Sequence, residues 1–273
     1  MTTQSTTPAP GVRDAHLRPL LALSVNTFRE AVRNKIFGSM LSFGVLLLLF
    51  SLILGEMSLH HEVRVTRTTT IFASTLFTVL IAVYSSVTLL QTEFERRTVY
   101  TLLTKPIHRW HFLLGKFIGV QALTGCVLVC MNTVTALLLW MRGEPATVTL
   151  LAASVAIFLQ AMIVTSLAIF FSCFASSLWA GLTSALMFIA GHLFSQLETI
   201  RKLLQEQDNP LSHIVSLFEV ILPNLESLNL SAEFTYNAAV PWSYMGAACL
   251  YAGTYALVVF LLAVAVFSRK DLG

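Results

Sequence analysis

Residues 38–55 read GSMLSFGVLLLLFSLILG, a run without a charged side chain and with aliphatic or aromatic residues at most positions. Such a run approaches the roughly 20 apolar residues a helix needs to cross the hydrocarbon core of a bilayer. Five further stretches have the same character, at 71–91, 117–140, 149–171, 179–197 and 242–267, and none of the six contains Asp, Glu, Lys or Arg. The whole chain agrees with this pattern. Its 273 residues are 56% hydrophobic and only 11% charged, with a mean hydropathy of +0.75. Soluble domains carry roughly twice that share of charge, so a water-soluble globule is excluded. Scarce Gly and Pro exclude a collagenous chain, and the low charge argues against intrinsic disorder. The expected fold is all-α: a polytopic membrane protein of six transmembrane helices, in one membrane domain over 17–273.

Upstream of the first span, residues 1–16 form a polar tail without the basic start and apolar run of a cleavable signal, so the first span is expected to act as an uncleaved one. Between 17 and 37, Leu21, Val25, Phe28, Val32 and Ile36 recur every three or four residues, while Asn26, Arg29, Glu30, Arg33 and Lys35 fall largely elsewhere around the turn. This predicts an amphipathic helix lying in the membrane interface. Six spans place both termini on one side. Of the 17 basic residues, all but Arg64, Arg67, Arg142, Arg201 and Lys202 then share that side, which the positive-inside rule makes cytoplasmic. Trp110, Trp140, Trp179 and Trp242 all fall at span ends, where indoles prefer to sit. The expected location is the cell inner (plasma) membrane. Residues 198–241 are placed outside. There Ile200, Leu203 and Leu204, then Ile214, Leu217, Phe218 and Ile221, predict short amphipathic helices broken at Asn209-Pro210 and Pro223-Asn224. The alternative is a re-entrant pair dipping into the membrane.

The loop between the second and third spans, TEFERRTVYTLLTKPIHRWHFLLGKFIG over 92–119, is too patterned for a simple connection. Glu93 and Arg97 form a well-oriented i,i+4 pair on a first short helix, which Pro106 stops. A second helix begins near Ile107, carries Arg109 and Lys116, and runs into the third span. A short surface helix rigidly joined to a span makes a lever for movement imposed from the cytoplasm; a basic anchor to anionic headgroups is the other reading of the same residues.

These residues resemble a family. FREAVRNK at 28–35, Glu95-Arg96-Arg97-Thr98, the Leu102-Leu103 pair, Lys105-Pro106, Arg109, Leu114-Gly115-Lys116 and the closing Phe267-Ser-Arg-Lys-Asp-Leu are similar to permease subunits of type-2 ATP-binding-cassette (ABC) exporters. Within them the chain resembles most the group that includes the permease for nitrous-oxide-reductase maturation. The resemblance implies a homodimer, or a pair with a related permease, in which each subunit docks a separate ATP-binding subunit through the loop 92–116. By position, Glu95, Thr98, Pro106, Arg109 and Lys116 would couple to that partner. Glu30 and Arg33 would belong to the entry helix, and the uncharged turn 172–178 would make a lesser contact.

The chain has no nucleotide site of its own. Gly115-Lys116 is followed by Phe117 and lacks the glycine five positions earlier, so no phosphate-cradling loop exists here. No cofactor is expected in this chain; ATP and Mg would be bound by the partner, and the chain is not expected to be an enzyme. No span holds a carboxylate or basic group for a proton or sodium relay, which weighs against an ATP-independent carrier or channel without excluding one. His192 is the one ionisable group well within a span. It could contact substrate, serve an intramembrane enzyme with Ser195, or simply bond a neighbouring carbonyl; no Gly-x-Ser-x-Gly elbow supports hydrolysis. The pairs His108/His111 and His60/His61, the latter followed by Glu62, show too few ligands for a full metal site, so no metal is expected. Cys126, Cys130, Cys173 and Cys249 are read as thiols, and Gly115-x-x-x-Gly119 permits close helix approach. A charge-free translocation surface suits an apolar or amphiphilic cargo, or mechanical work passed to the outer face. Membrane lipid is an expected partner, and nucleic acid is not.

Overall fold

The computed structural model describes residues 12–58, 61–95, 109–144, 148–206 and 211–269. In hydrocarbon no water pairs a free amide, so a spanning segment must close its hydrogen bonds within itself. Among the described residues the elements are accordingly helical: α1 (Val12–Arg33), α2 (Lys35–Met57), α3 (Glu62–Glu95), α4 (Arg109–Met141), α5 (Val148–Ser172), α6 (Ser177–His192), α7 (Phe194–Glu206), α8 (Leu211–Ile221), a 3-10 turn (Glu226–Leu228), α9 (Ser231–Tyr236) and α10 (Trp242–Arg269). Five of them, α2 to α5 and α10, are long and apolar enough to cross a membrane, and the bent pair α6–α7 makes a sixth crossing if it counts as one span. The protein is an integral, polytopic, all-α membrane protein.

The amphipathic helix expected over 17–37 begins at Val12 and stops at Arg33. Asn34 turns the backbone to an extended conformation, and its Oδ1 accepts from Ile36 N at 3.0 Å, so Lys35, Ile36 and Phe37 start the first span instead. An Asn side chain that bonds the backbone locally competes with helix continuation, which is why the break falls here. Of the apolar row, Leu21, Val25 and Val32 are exposed and Phe28 is half-buried. The small residues Ser24, Thr27 and Ala31 are buried. They meet α4 at Gly119, where an added Cβ would stand 2.6 Å from Thr27 Cβ and 2.9 Å from Ser24 O, while at Gly115 it would stand 2.6 Å from Leu23 Cδ2. The Gly115-x-x-x-Gly119 pair thus serves close approach within one chain.

The spine is α3, 34 residues long against the expected 71–91. Hydropathy marks only its apolar middle; the helix continues through polar residues at both ends. It packs on α2, α4 and α5. The central core joins Val79 and Val83 of α3, Ile163 and Val164 of α5, and Ala252 of α10.

The fifth span departs from expectation. A straight helix over 179–197 is interrupted at Leu193, and α7 leaves α6 at 63°. The cause is the returning chain. Leu225 N–H donates to Gly191 O at 3.1 Å, and a Cβ on Gly191 would meet Pro223 O at 2.7 Å. The amphipathic helices expected over 198–241 are present as α7 and α8, clasped by Arg201 and Glu219 at 2.9 Å, and the chain that follows them packs back against the long helices. Gln160, at the midpoint of α5, donates to Leu228 O at 2.8 Å; Tyr255, midway along α10, donates to Ile221 O at 2.8 Å. Leu225 and Leu228 are fully buried in the central core. The turn therefore lies level with the midpoints of α5 and α10, roughly 18 Å along α5 from Val148. Spacing along the sequence shows that two helices break at prolines, but not how deep the break lies.

Candidate functional site

The loop between α3 and α4 is flanked by helix ends whose residues can be followed inward. Thr98 and Pro106 lie outside the described residues, as do the side chains of Glu95 and Arg109, which close α3 and open α4. Lys116, two turns into α4, is described in full. Its Nζ stands 2.5 Å from Glu93 Oε1 of α3 and 3.8 Å from Glu30 Oε2 of α1, and 6.0 Å from the centre of the Phe112 ring. Lys116 is 2% exposed, Glu93 13% and Glu30 40%. One ammonium, nearly removed from water, thus joins three helices at the root of the loop.

Burying a lysine costs several kcal/mol unless carboxylates take the place of water. The Lys116–Glu93 contact is short and shielded, so it carries most of that compensation; Glu30, more exposed and farther away, adds a screened attraction. Of the residues that the sequence singles out, Glu30 and Lys116 are brought together. Arg33 is exposed in the last turn of α1, where its charge complements the helix dipole. Glu93 is the residue that sequence reasoning assigned differently, to Arg97, which lies outside the described residues. The signal was available: Glu93 follows one apolar run and Lys116 precedes the next, and antiparallel helices joined by a loop bring such flanking charges together.

A second link was not anticipated. Gln91 Nε2 donates to Ala175 O at 2.8 Å and to Ser172 O at 3.2 Å. The end of α3 is thereby tied to the turn between α5 and α6; Phe174 in that turn, and Leu178 and Trp179 at the start of α6, are exposed. Asn34 Nδ2 donates to Tyr84 Oη at 3.1 Å, fixing the α1–α2 break against α3 as well. These contacts link α1, α3, α4 and the 172–176 turn near the loop end of α3.

The other sequence candidates have local partners. His192 Nδ1 bonds Phe188 O at 3.1 Å and its ring lies 4.5 Å from that of Phe188, while Ser195 donates to Gln196 Oε1 at 3.0 Å. The histidine takes the carbonyl one turn back, and the serine is turned to its neighbour. Buried His111 stacks on Trp110 at 3.7 Å between centroids. Among the described residues no group of three or more His, Cys, Asp or Glu is arranged to hold a metal ion. His60 and His108 lie outside them. Cys126, Cys130, Cys173 and Cys249 are free thiols.

A sequence model of the family described as ABC-2 family transporter protein matches residues 17–272. Among curated proteins, none matches the chain.

Proposed function

Because the chain belongs to the ABC-2 family of transporter proteins, we propose that it is the membrane permease subunit of an ABC exporter, driven by ATP that a separate nucleotide-binding subunit hydrolyses with Mg. The loop 92–116 faces the cytoplasm with both termini and receives the stroke of that partner. The observation that carries this reading is the Lys116 clamp: a buried cation shared between α1, α3 and α4 makes the loop root stiff, so that work done on the loop reaches the spans without being lost in side-chain rearrangement. Two copies of the chain, or one copy and a related permease, complete the transporter in the inner membrane. The finer placement in the group of the nitrous-oxide-reductase-maturation permease rests on resemblance alone.

The cargo is apolar or amphiphilic. The six spans carry no fixed charge at their centres, and exposed apolar rows such as Phe43, Leu46, Phe50 and Ile53 on α2 offer lipid-like surroundings. Burial of a charged solute against such walls would leave it without a partner.

The test is purification of the tagged chain from its native membrane in mild detergent, followed by measurement of ATP turnover. A nucleotide hydrolase should co-purify, and Glu95→Arg or Arg109→Glu should separate ATP turnover from transport while membrane insertion is unchanged. Recovery of the chain without any hydrolase, with solute flux in reconstituted vesicles that needs no ATP, would reject the proposal in favour of an ATP-independent carrier.

A further inference from the structure

At the end of the bundle away from the loop, α3 holds a second set of contacts. Arg67 is 4% exposed; its Nη2 lies 3.1 Å from Glu144 Oε2, its Nη1 donates to Phe234 O at 3.4 Å, and its guanidinium stands 5.8 Å from the centre of the Phe234 ring. Beside it, Thr68 Oγ1 and Thr235 Oγ1 are 3.1 Å apart, and the Arg64 guanidinium sits 4.9 Å over the Tyr236 ring. Three consecutive residues of α9 are each met by a residue from one stretch of α3. The far side of α9 is held too, since Asn237, in the left-handed conformation at φ 52°, accepts a hydrogen bond from Thr149 at 3.0 Å. Phe234 is fully buried, so α9 is a short cap seated in the bundle.

The same helix carries Gln91 and Glu93 at its loop end, roughly 40 Å from Arg67 at 1.5 Å per residue. Between them α3 has neither Gly nor Pro, the usual sites of a kink. A guanidinium in this surrounding keeps its acceptors only if α9 and the Glu144 loop follow it: a slide or rotation of α3 that left α9 behind would strand a buried charge. A stiff helix gripping at both ends passes displacement along its axis.

We propose that Arg67 is a positioning residue through which α3 sets the placement of α9, so that displacement of the loop at one end of the helix is delivered to residues 231–237 at the other. This rests on the coupling role proposed for the loop. By linkage, holding α9 still must then hinder the loop end.

The experiment uses the complex of the chain with its co-purified ATP-binding subunit, reconstituted in lipid nanodiscs. Thr149→Cys and Asn237→Cys are introduced together, which ties α9 to α5 and holds it still; side-chain oxygens 3.0 Å apart leave the sulfurs close to the roughly 2 Å of a disulfide. Oxidation should lower ATP turnover by about fivefold or more, with full recovery on reduction and no effect on either single variant or the parent. Equal turnover in the cross-linked and reduced double variant would overturn the proposal. In a second arm Arg67→Lys, which keeps a charge for Glu144 but loses the planar fork, should slow cross-linking of the pair by about fivefold relative to Arg67; an unchanged rate would show that Arg67 is not the grip. Absence of ATP turnover in every sample, reduced parent included, would instead overturn the coupling role of the loop and this inference with it.

Discussion

Replacing Lys116 with Met keeps an unbranched side chain one atom shorter and removes the charge at the centre of the clamp. At 2.5 Å from Glu93 Oε1, with an effective dielectric of about 20, the gross attraction is roughly 7 kcal/mol. Most of it offsets the cost of burying the two ions, so the net worth of the pair is small, but removal of one partner alone is not. Breaking a buried pair from one side costs about 3 to 5 kcal/mol. Glu93 is 13% exposed and has further interactions, which places Lys116→Met near 3 kcal/mol. Loss of Glu30, 40% exposed and 3.8 Å away, adds no more than about 1 kcal/mol. The assay is a double-mutant cycle of Lys116→Met and Glu93→Gln, with stability read from reversible unfolding in mixed micelles. The double variant should recover about 2 kcal/mol relative to the sum of the single changes. Additivity within about 0.5 kcal/mol would mean that the two charges do not interact and that the clamp does not exist as described.

Three further outcomes follow from the packing. Gly119→Ala should destabilise by about 1 to 3 kcal/mol, because its Cβ would fall 2.9 Å from the backbone oxygen of Ser24, which has little room to move. Gly125→Ala, whose nearest neighbour would be 3.7 Å away, is the control expected to be neutral or slightly stabilising; equal effects on thermal unfolding would refute the α1–α4 packing. Gln91→Leu should leave the fold intact but release the 172–176 turn, raising amide exchange at Phe174 and Ala175 severalfold with no change at the Lys116 clamp. Cys173 is buried and should resist a lipid-soluble maleimide under native conditions, whereas the exposed Cys126 and Cys249 should react; rapid labelling of Cys173 would show that the α5 end is not packed as described.

Much of the architecture was legible because transfer of charge into hydrocarbon is so unfavourable that it leaves a mark on every span. Runs without Asp, Glu, Lys or Arg located α2 to α5 and α10 to within a few residues at most ends, and apolar spacing located α1, α7 and α8 as amphipathic helices. Breaks were harder. Asn34 stops α1 because its side chain caps the next helix, an Asn that residue type alone does not distinguish from one in mid-helix. The bend at Leu193 depends on Pro223 and Leu225, residues distant in sequence that close on Gly191.

The functional region divides in the same way. The sequence alone determined that this is a many-helix membrane protein, that the Gly-x-x-x-x-Gly-Lys pattern does not occur in it, and that the stretch from Glu93 to Lys116 is patterned, since composition and spacing are properties of the chain and survive without a fold. Only the tertiary structure decided that Lys116 answers Glu93 and Glu30, that Gln91 holds the turn beyond α5, that 222–228 reaches the middle of the bundle, and that Arg67 grips α9. Those pairings join residues tens of positions apart. They depend on which faces of packed helices meet and at what height, and no local preference of the chain encodes either quantity.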